Sequence, residues 1–278
     1  MPRTSPDADG CALAYDRGGS GAPVLLLHGW PGDRSDWADV AVLLPDRDVV
    51  VPDLRGFGES DRAEDVTAAG QARSLLALLD ELGIARAVVA GYDVGSRVGQ
   101  TLAAAHPDRV AALVVAPPLP GAGRRVLEPQ AVPEFWYQHF HQLALVEELV
   151  DGRPDAVRAY LRHFWEHWSG PAFTVSEERL DRLTSRYSPP GAFASSVGWY
   201  RSGNAMIARS LAERPPENRI TVPTTVLWPE HDPLFPRAWS DRLDEFFADV
   251  TLYPLDGVGH FSPVEAPSAW ATHLRSVS

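Results

Sequence analysis

The residues best suited to chemistry lie where an apolar run ends in Gly91-x-Asp93-x-Gly95 and a helical pattern follows. Small residues on both sides of one exposed side chain are typical of a nucleophile elbow, a sharp turn from a strand into a helix. A carboxylate at this position favours displacement at a saturated carbon. The alternative is an ordinary turn in which Asp93 caps the helix.

A nucleophile at Asp93 requires an acid after a late strand and a histidine before the last helix, in that order. Asp232 follows one late apolar run and His260 follows the next. Parallel sheets place their sites at the carboxyl ends of strands. We therefore predict a triad of Asp93, Asp232 and His260. Glu230 is the competing acid, and Asp232 is favoured because Asp-Pro suits a turn.

A fourth motif, His28-Gly29-Trp30-Pro31, follows an early apolar run. A loop in this position can donate one backbone amide to an oxyanion hole, and the residue after the nucleophile donates the other. We predict the Trp30 and Val94 amides for these roles. The alternative for the motif is an ordinary turn.

These residues need a sheet to bring them together. Short apolar runs alternate with helical stripes, which predicts βαβ units and an α/β fold class with a mostly parallel sheet flanked by helices. Six runs are predicted as strands: Val24–Leu27, Val49–Val51, Ala87–Ala90, Val110–Ala116, Thr224–Trp228 and Val250–Tyr253.

Between about residues 120 and 216 the strand signals disappear, and aromatic residues and histidines occupy helical patterns such as Val132–Val150. We predict a helical cap, or lid, at 120–216. The core would then consist of residues 1–119 and 217–278.

Composition narrows the functional classes. The 278 residues carry a net charge of -12, and all 25 basic residues are arginine. Without a basic stripe, nucleic-acid binding is not expected. The single Cys11 excludes an internal disulfide, and no signal-peptide or membrane-spanning pattern occurs. We expect a cytoplasmic enzyme that acts on a small molecule away from membranes; the sequence leaves a homodimer open.

Together the motifs resemble the α/β-hydrolase fold in its aspartate-nucleophile branch, which contains epoxide hydrolases and haloalkane or haloacid dehalogenases. The matching pieces are His28-Gly29-Trp30-Pro31, Asp53-Leu54-Arg55-Gly56-Phe57-Gly58, the elbow at Asp93, Asp232-Pro233 and Gly259-His260-Phe261. The resemblance implies the α/β-hydrolase fold with a cap inserted in the core.

Epoxide hydrolases are the most similar group because two cap tyrosines of that family hydrogen-bond the epoxide oxygen. Tyr137 and Tyr200 match these positions, and the neighbouring Trp136 and Trp199 are candidate substrate-binding residues. A phenol can donate a proton to the charge that ring opening places on oxygen. The alternative is that both tyrosines only pack the cap.

Dehalogenases resemble the chain less closely. They often have a tryptophan after the nucleophile to hold the halide, whereas this chain has Val94. Fluoroacetate dehalogenases carry an arginine four residues after the nucleophile, which Arg97 matches, so Arg97 is a candidate for binding a substrate carboxylate. The alternative is an outward-facing helix arginine.

The resemblance implies hydrolysis of an apolar epoxide to a vicinal diol through an Asp93 ester, with no cofactor. The alternatives are dehalogenation by the same nucleophile, a specialised biosynthetic hydrolase or cyclase, and a non-enzymatic ligand-binding protein. His163-x-x-Glu166-His167 fits a zinc-protease pattern, but no third ligand is evident, and we predict no metal site.

Overall fold

A single eight-stranded sheet forms the centre of the molecule in the computed structural model, which describes residues 3–5 and 10–277. The strand order is β1-β2-β4-β3-β5-β6-β7-β8. At one edge β1 pairs antiparallel with β2 and β2 pairs antiparallel with β4, and the remaining pairs are parallel. The strands are β1 (Arg3–Thr4), β2 (Ala14–Gly18), β3 (Ala22–Leu27), β4 (Arg47–Pro52), β5 (Ala87–Gly91), β6 (Val110–Val115), β7 (Thr224–Pro229) and β8 (Val250–Leu255).

The helices follow the predicted alternation. Strand β5 is buried along its whole length, as expected of a central strand with helices on both faces. The helices of the core are α1 (Ala38–Val42), α2 (Ala68–Glu81), α3 (Val94–Ala105), α10 (Ser262–Glu265) and α11 (Pro267–Ser276). This arrangement confirms the predicted α/β-hydrolase fold class.

The chain between β6 and β7, here named the helical segment (116–223), contains only helices and loops in the structure. Its α-helices are α4 (Trp136–Phe140), α5 (Leu145–Leu149), α6 (Pro154–His167), α7 (Glu177–Tyr187), α8 (Ala192–Trp199) and α9 (Met206–Ala212). The division into core and cap domains at 120–216 stays a prediction.

The predicted helix over Val132–Val150 is wrong, because the structure divides this stretch into a 3₁₀ turn and two short helices. A 3₁₀ turn precedes α4, and α4 ends where the amides of Gln142 and Leu143 bond to carbonyls three residues back. Such bonds tighten the last turn and end the helix. Among the described residues, no helix has both the length and the apolar composition that crossing a membrane requires.

Candidate active site

Asp93 lies at the turn between β5 and α3 in a strained backbone conformation, with φ 49° and ψ -119°. Among the described residues, it is the one non-glycine residue with positive φ. A Cβ at Gly91 would lie 2.5 Å from the Gly95 backbone, and one at Gly95 would lie 2.1 Å from the Leu27 carbonyl oxygen. The turn therefore requires both glycines. Asp93 is the N-cap residue of α3, but its side chain makes no capping hydrogen bond, so the alternative in which this side chain caps the helix is wrong.

The structure brings the three predicted triad residues together. His260 Nδ1 lies 2.8 Å from Asp232 Oδ2, and His260 Nε2 lies 3.5 Å from Asp93 Oδ2. The imidazole therefore sits between the two carboxylates. Glu230 instead accepts a hydrogen bond from the Gly257 amide at 2.8 Å, and 46% of its side chain is exposed. The geometry favours Asp232 over Glu230 as the partner of His260.

The electrostatics of His260 follow from this position. Burial by itself lowers the pKa of the imidazole, but the two carboxylates more than offset it and raise the pKa to about 10. The cationic imidazolium is therefore the stable form at neutral pH as long as Asp93 is ionised. Nε2 is buried and makes no hydrogen bond with a described residue. It lies 3.5 Å from Asp93 Oδ2, on the side of Asp93 where chemistry would occur.

The predicted oxyanion hole contacts the other oxygen of Asp93. The Trp30 amide donates to Asp93 Oδ1 at 2.7 Å. The Val94 amide belongs to the first residue of α3, and the first amides of a helix have no intrahelical acceptor. No role was predicted for the His28 side chain. Its Nε2 accepts a hydrogen bond from the Leu54 amide at 3.0 Å. It thereby fixes the loop that presents Trp30.

Tyr137 and Tyr200 line one cavity with Asp93. The cavity has a volume of about 20 Å³, which is room for about one water molecule. The two phenol rings are nearly perpendicular, with centroids 5.5 Å apart, and Tyr137 stacks on the Trp30 indole at 5.6 Å. Burial raises the pKa of both tyrosines well above the usual value, and the charge of Asp93 raises it further. Both hydroxyls therefore keep their protons.

The two hydroxyls differ in their partners. The Tyr200 hydroxyl is buried and makes no well-aligned hydrogen bond with a described residue, although it interacts with the Tyr137 hydroxyl. The Tyr137 oxygen accepts a hydrogen bond from Gln138 Nε2 at 2.8 Å, while Gln138 Oε1 accepts one from the Met206 amide at 2.5 Å. Because a backbone amide can only donate, this arrangement fixes the orientation of the Gln138 amide group. The Tyr137 O–H is left free to donate elsewhere.

The predicted substrate-binding residues divide into two groups. Trp199 and Arg97 line the cavity with Asp93, and Arg97 is buried, so the outward-facing alternative is wrong. Trp136 requires a correction, because it is 44% exposed and stacks on Phe164 instead of lining the cavity. Consecutive helix residues point about 100° apart. With Tyr137 facing the cavity, its neighbour Trp136 faces outward.

The zinc-like pattern lies on α6 at the surface. The His163 and His167 rings stack with centroids 5.7 Å apart, and His167 Nε2 lies 2.7 Å from a carboxylate oxygen of Glu134. Within residues 3–5 and 10–277, no group of three or more His, Cys, Asp or Glu side chains is arranged to hold a metal ion.

Comparison with known proteins agrees with this geometry. Residues 22–267 match the family described as alpha/beta hydrolase fold. The chain is 29% identical to the soluble epoxide hydrolase of Corynebacterium sp. (strain C12) over 281 residues, covering 93% of this chain and 91% of that protein. It is also 29% identical to the fluoroacetate dehalogenase of Burkholderia sp. over 199 residues, covering 68% of this chain and 65% of that protein.

A solved structure gives the same result. The epoxide hydrolase CorEH, solved without ligand, superposes with a TM-score of 0.84 at 26% identity, covering 100% of this chain and 98% of that chain. The resemblance to epoxide hydrolases predicted from the motifs is confirmed at the level of the family. The chain therefore belongs to the α/β-hydrolase fold family and is a hydrolase.

Proposed function

We propose that this hydrolase opens an epoxide to a vicinal diol through an ester on Asp93. The observation that carries the proposal is the pair of buried, protonated phenols, Tyr137 and Tyr200, which share a cavity with Asp93. A carboxylate nucleophile facing two proton donors suits a substrate in which one atom is attacked and the neighbouring oxygen gains charge.

In the first step, Asp93 Oδ2 bonds to an epoxide carbon and the bond from that carbon to oxygen breaks. The released alkoxide takes a proton from Tyr137 or Tyr200. Asp93 Oδ1 stays on the Trp30 amide at 2.7 Å, which leaves Oδ2 as the attacking oxygen. This step converts the Asp93 anion into a neutral ester.

That loss of charge prepares the second step. The charge of Asp93 is one of the causes that raise the pKa of His260, so esterification lowers this pKa. The imidazolium then gives its proton to the phenolate that the first step left, and the neutral imidazole can act as a base. His260 takes a proton from water, the hydroxide attacks the ester carbonyl, and the Trp30 and Val94 amides hold the oxyanion. Collapse releases the diol, which receives its proton from His260. The remaining water proton, now on the Asp93 carboxyl, passes to His260 and restores the starting pair of carboxylate and imidazolium.

An apolar substrate suits the surroundings of the tyrosines. Gln138 and Tyr200 also line a second cavity of about 470 Å³, whose other walls include Ile207 and Leu211. This volume lies in the range typical of small-molecule sites. Since the cavity at Asp93 holds only about one water molecule, side chains between the two cavities must move for an apolar epoxide to reach Asp93.

Trapping the ester tests the proposal. With His260→Gln, water activation is lost, so a terminal epoxide should leave a hydroxyalkyl adduct that intact-mass spectrometry detects. The adduct should be absent from the double variant that also carries Asp93→Ala. A protein that gives no adduct with any epoxide, under conditions where the fold is retained, would contradict the proposed reaction.

Dehalogenation of a haloacid is the second candidate, favoured by the buried Arg97 at the cavity. The same His260→Gln variant is therefore also incubated with haloalkanes and haloacids. A carboxyalkyl adduct from a haloacid, without one from epoxides, would replace the epoxide assignment with this one.

A further inference from the structure

A third cavity, of about 460 Å³, lies against the side of α3 that carries Arg97. Arg97 lines both this cavity and the one at Asp93, so it forms part of the wall between them. Arg209 lies in α9, Glu213 and Arg214 come just after it, and all three contribute further charged groups to the larger cavity. We name this larger cavity the arginine cleft.

Three arginines, Arg97, Arg209 and Arg214, line the arginine cleft, and among the described residues Glu213 supplies its one carboxylate. Arg97 is 4% exposed and lies 3.5 Å from Glu213. Arg209 has no carboxylate of the described residues within ion-pair distance; it donates to Asn204 at 3.3 Å, and its buried Nε has no hydrogen-bond partner there. Burial lowers the pKa of Arg97 to about 10, and the positive charge of Arg209 contributes to that shift.

This arrangement leaves a positive charge and a buried donor unsatisfied. Like charges brought together, and buried donors without acceptors, both cost free energy. The net charge of the whole chain is -12, so the local positive charge of the cleft contrasts with the negative charge of the protein. A carboxylate would bring two acceptor oxygens that match the planar fork of a guanidinium.

We propose that the arginine cleft binds the carboxylate of a small organic acid through Arg209 and Arg97. The lining also includes Pro120, Ile220 and Phe246, and these apolar side chains would cover the hydrocarbon part of the ligand. The volume is within the range of small-molecule sites. The apolar wall favours an organic acid over an inorganic anion such as phosphate.

Isothermal titration with hexanoate in buffer of low chloride measures this binding directly. Arg209→Gln should weaken binding by about tenfold, the effect of losing one charge-assisted hydrogen bond. Glu213→Gln should tighten it, because the internal carboxylate no longer competes for the arginines. Arg158→Gln, which removes an equal charge from α6 outside the cleft, is the matched control and should bind like the wild type.

Opposite effects of Arg209→Gln and Glu213→Gln cannot both come from a loss of folding. No binding by the wild type, or equal binding by Arg209→Gln and the wild type, would overturn the proposal. Inorganic phosphate is titrated in parallel, and phosphate binding as tight as hexanoate binding would overturn the organic part of the assignment.

The carboxylate can belong to a separate acid or to the substrate itself. Kinetics on an epoxide that carries a carboxylate, compared with its methyl ester, separates these sources. If Arg209→Gln loses kcat/KM for the carboxylate epoxide but not for its methyl ester, the bound carboxylate belongs to the substrate. If the kinetics on both epoxides are unchanged and hexanoate binds, the carboxylate belongs to a separate acid. Only this comparison rests on the proposed epoxide hydrolysis, and the titration stands without it.

Discussion

The active site around Asp93 has two walls that obtain their geometry in different ways. The core wall (Asp93, Asp232 and His260) comes from loops at the ends of β5, β7 and β8. The helical wall (Tyr137, Gln138 and Tyr200) comes from α4 and the turn after α8. The core wall is thus carried by loops anchored on strands of one sheet, whereas the helical wall depends on how α4 and α8 pack.

The core wall and the helical wall also differ in their hydrogen bonding. Each carboxylate of the core wall has a backbone amide donor, from Trp30 to Asp93 and from Leu234 to Asp232. In the helical wall, the Tyr200 hydroxyl lacks a well-aligned partner among the described residues. We infer that the core wall supplies chemistry common to the fold, while the helical wall selects the reaction. Four predictions test this division.

The largest effect is expected from Asp232→Asn in the core wall. A neutral amide cannot stabilise the imidazolium, so kcat should fall roughly 10³- to 10⁴-fold, as in other triads. Steady-state kinetics on a terminal epoxide measures this. Glu230→Gln is the matched control, since Glu230 bonds to Gly257 and should leave kcat close to the wild-type value. The reverse ranking would reassign the acid.

The core wall also predicts a pH dependence of stability. The pKa of His260 is raised to about 10 in the folded protein, against about 6.5 in an unfolded chain. The folded state therefore binds the proton more tightly, and this contribution to stability is complete below pH ~6.5 and is lost as the pH rises towards about 10.

Chemical denaturation of the wild type and His260→Gln measures that contribution as a difference. The free energy of unfolding of the wild type, minus that of the variant, should fall by an amount on the order of a few kcal/mol between pH ~6.5 and about 10. A difference that is flat across this range would mean that the two carboxylates do not hold a proton on His260.

The helical wall is tested by Tyr137→Phe and Tyr200→Phe. Each removes one donor to the developing alkoxide, and each should lower kcat/KM for an epoxide about 10²-fold. Tyr160→Phe is the control, because the Tyr160 hydroxyl lies in the same aromatic cluster but pairs with His141 at 3.0 Å. If the three variants behave alike, the tyrosines only pack the segment, and the helical wall does not select the reaction.

The two walls also differ in how far the sequence predicts them. The core wall follows from local rules: Gly91 and Gly95 mark a turn that steric contacts require, and the strand order brings Asp93, Asp232 and His260 to one edge of the sheet. These rules depend on pattern and spacing, which one sequence contains.

The helical wall depends on helix phase and on contacts between distant residues. Tyr137 faces the cavity while the adjacent Trp136 does not, and no periodicity distinguishes them before the end of α4 is known. Gln138 was not predicted at all, because its role requires the Met206 amide, 68 residues away along the chain. Tertiary contacts of this kind leave no signal in residue types.

Gln138→Glu should produce the smallest effect and the most specific one. The Gln138 amide donates to the Tyr137 oxygen at 2.8 Å, which leaves the phenol proton free for the epoxide. An ionised Glu can only accept, so it would draw that proton away, and kcat should fall about tenfold with little change in KM. Lower pH should restore the rate as the new carboxyl becomes protonated.

Gln142→Glu, where the native amide donates to the Tyr200 carbonyl at 2.9 Å, is the matched control. A rate for Gln138→Glu that equals this control at every pH would show that Gln138 only packs beside Tyr137 and does not orient its proton.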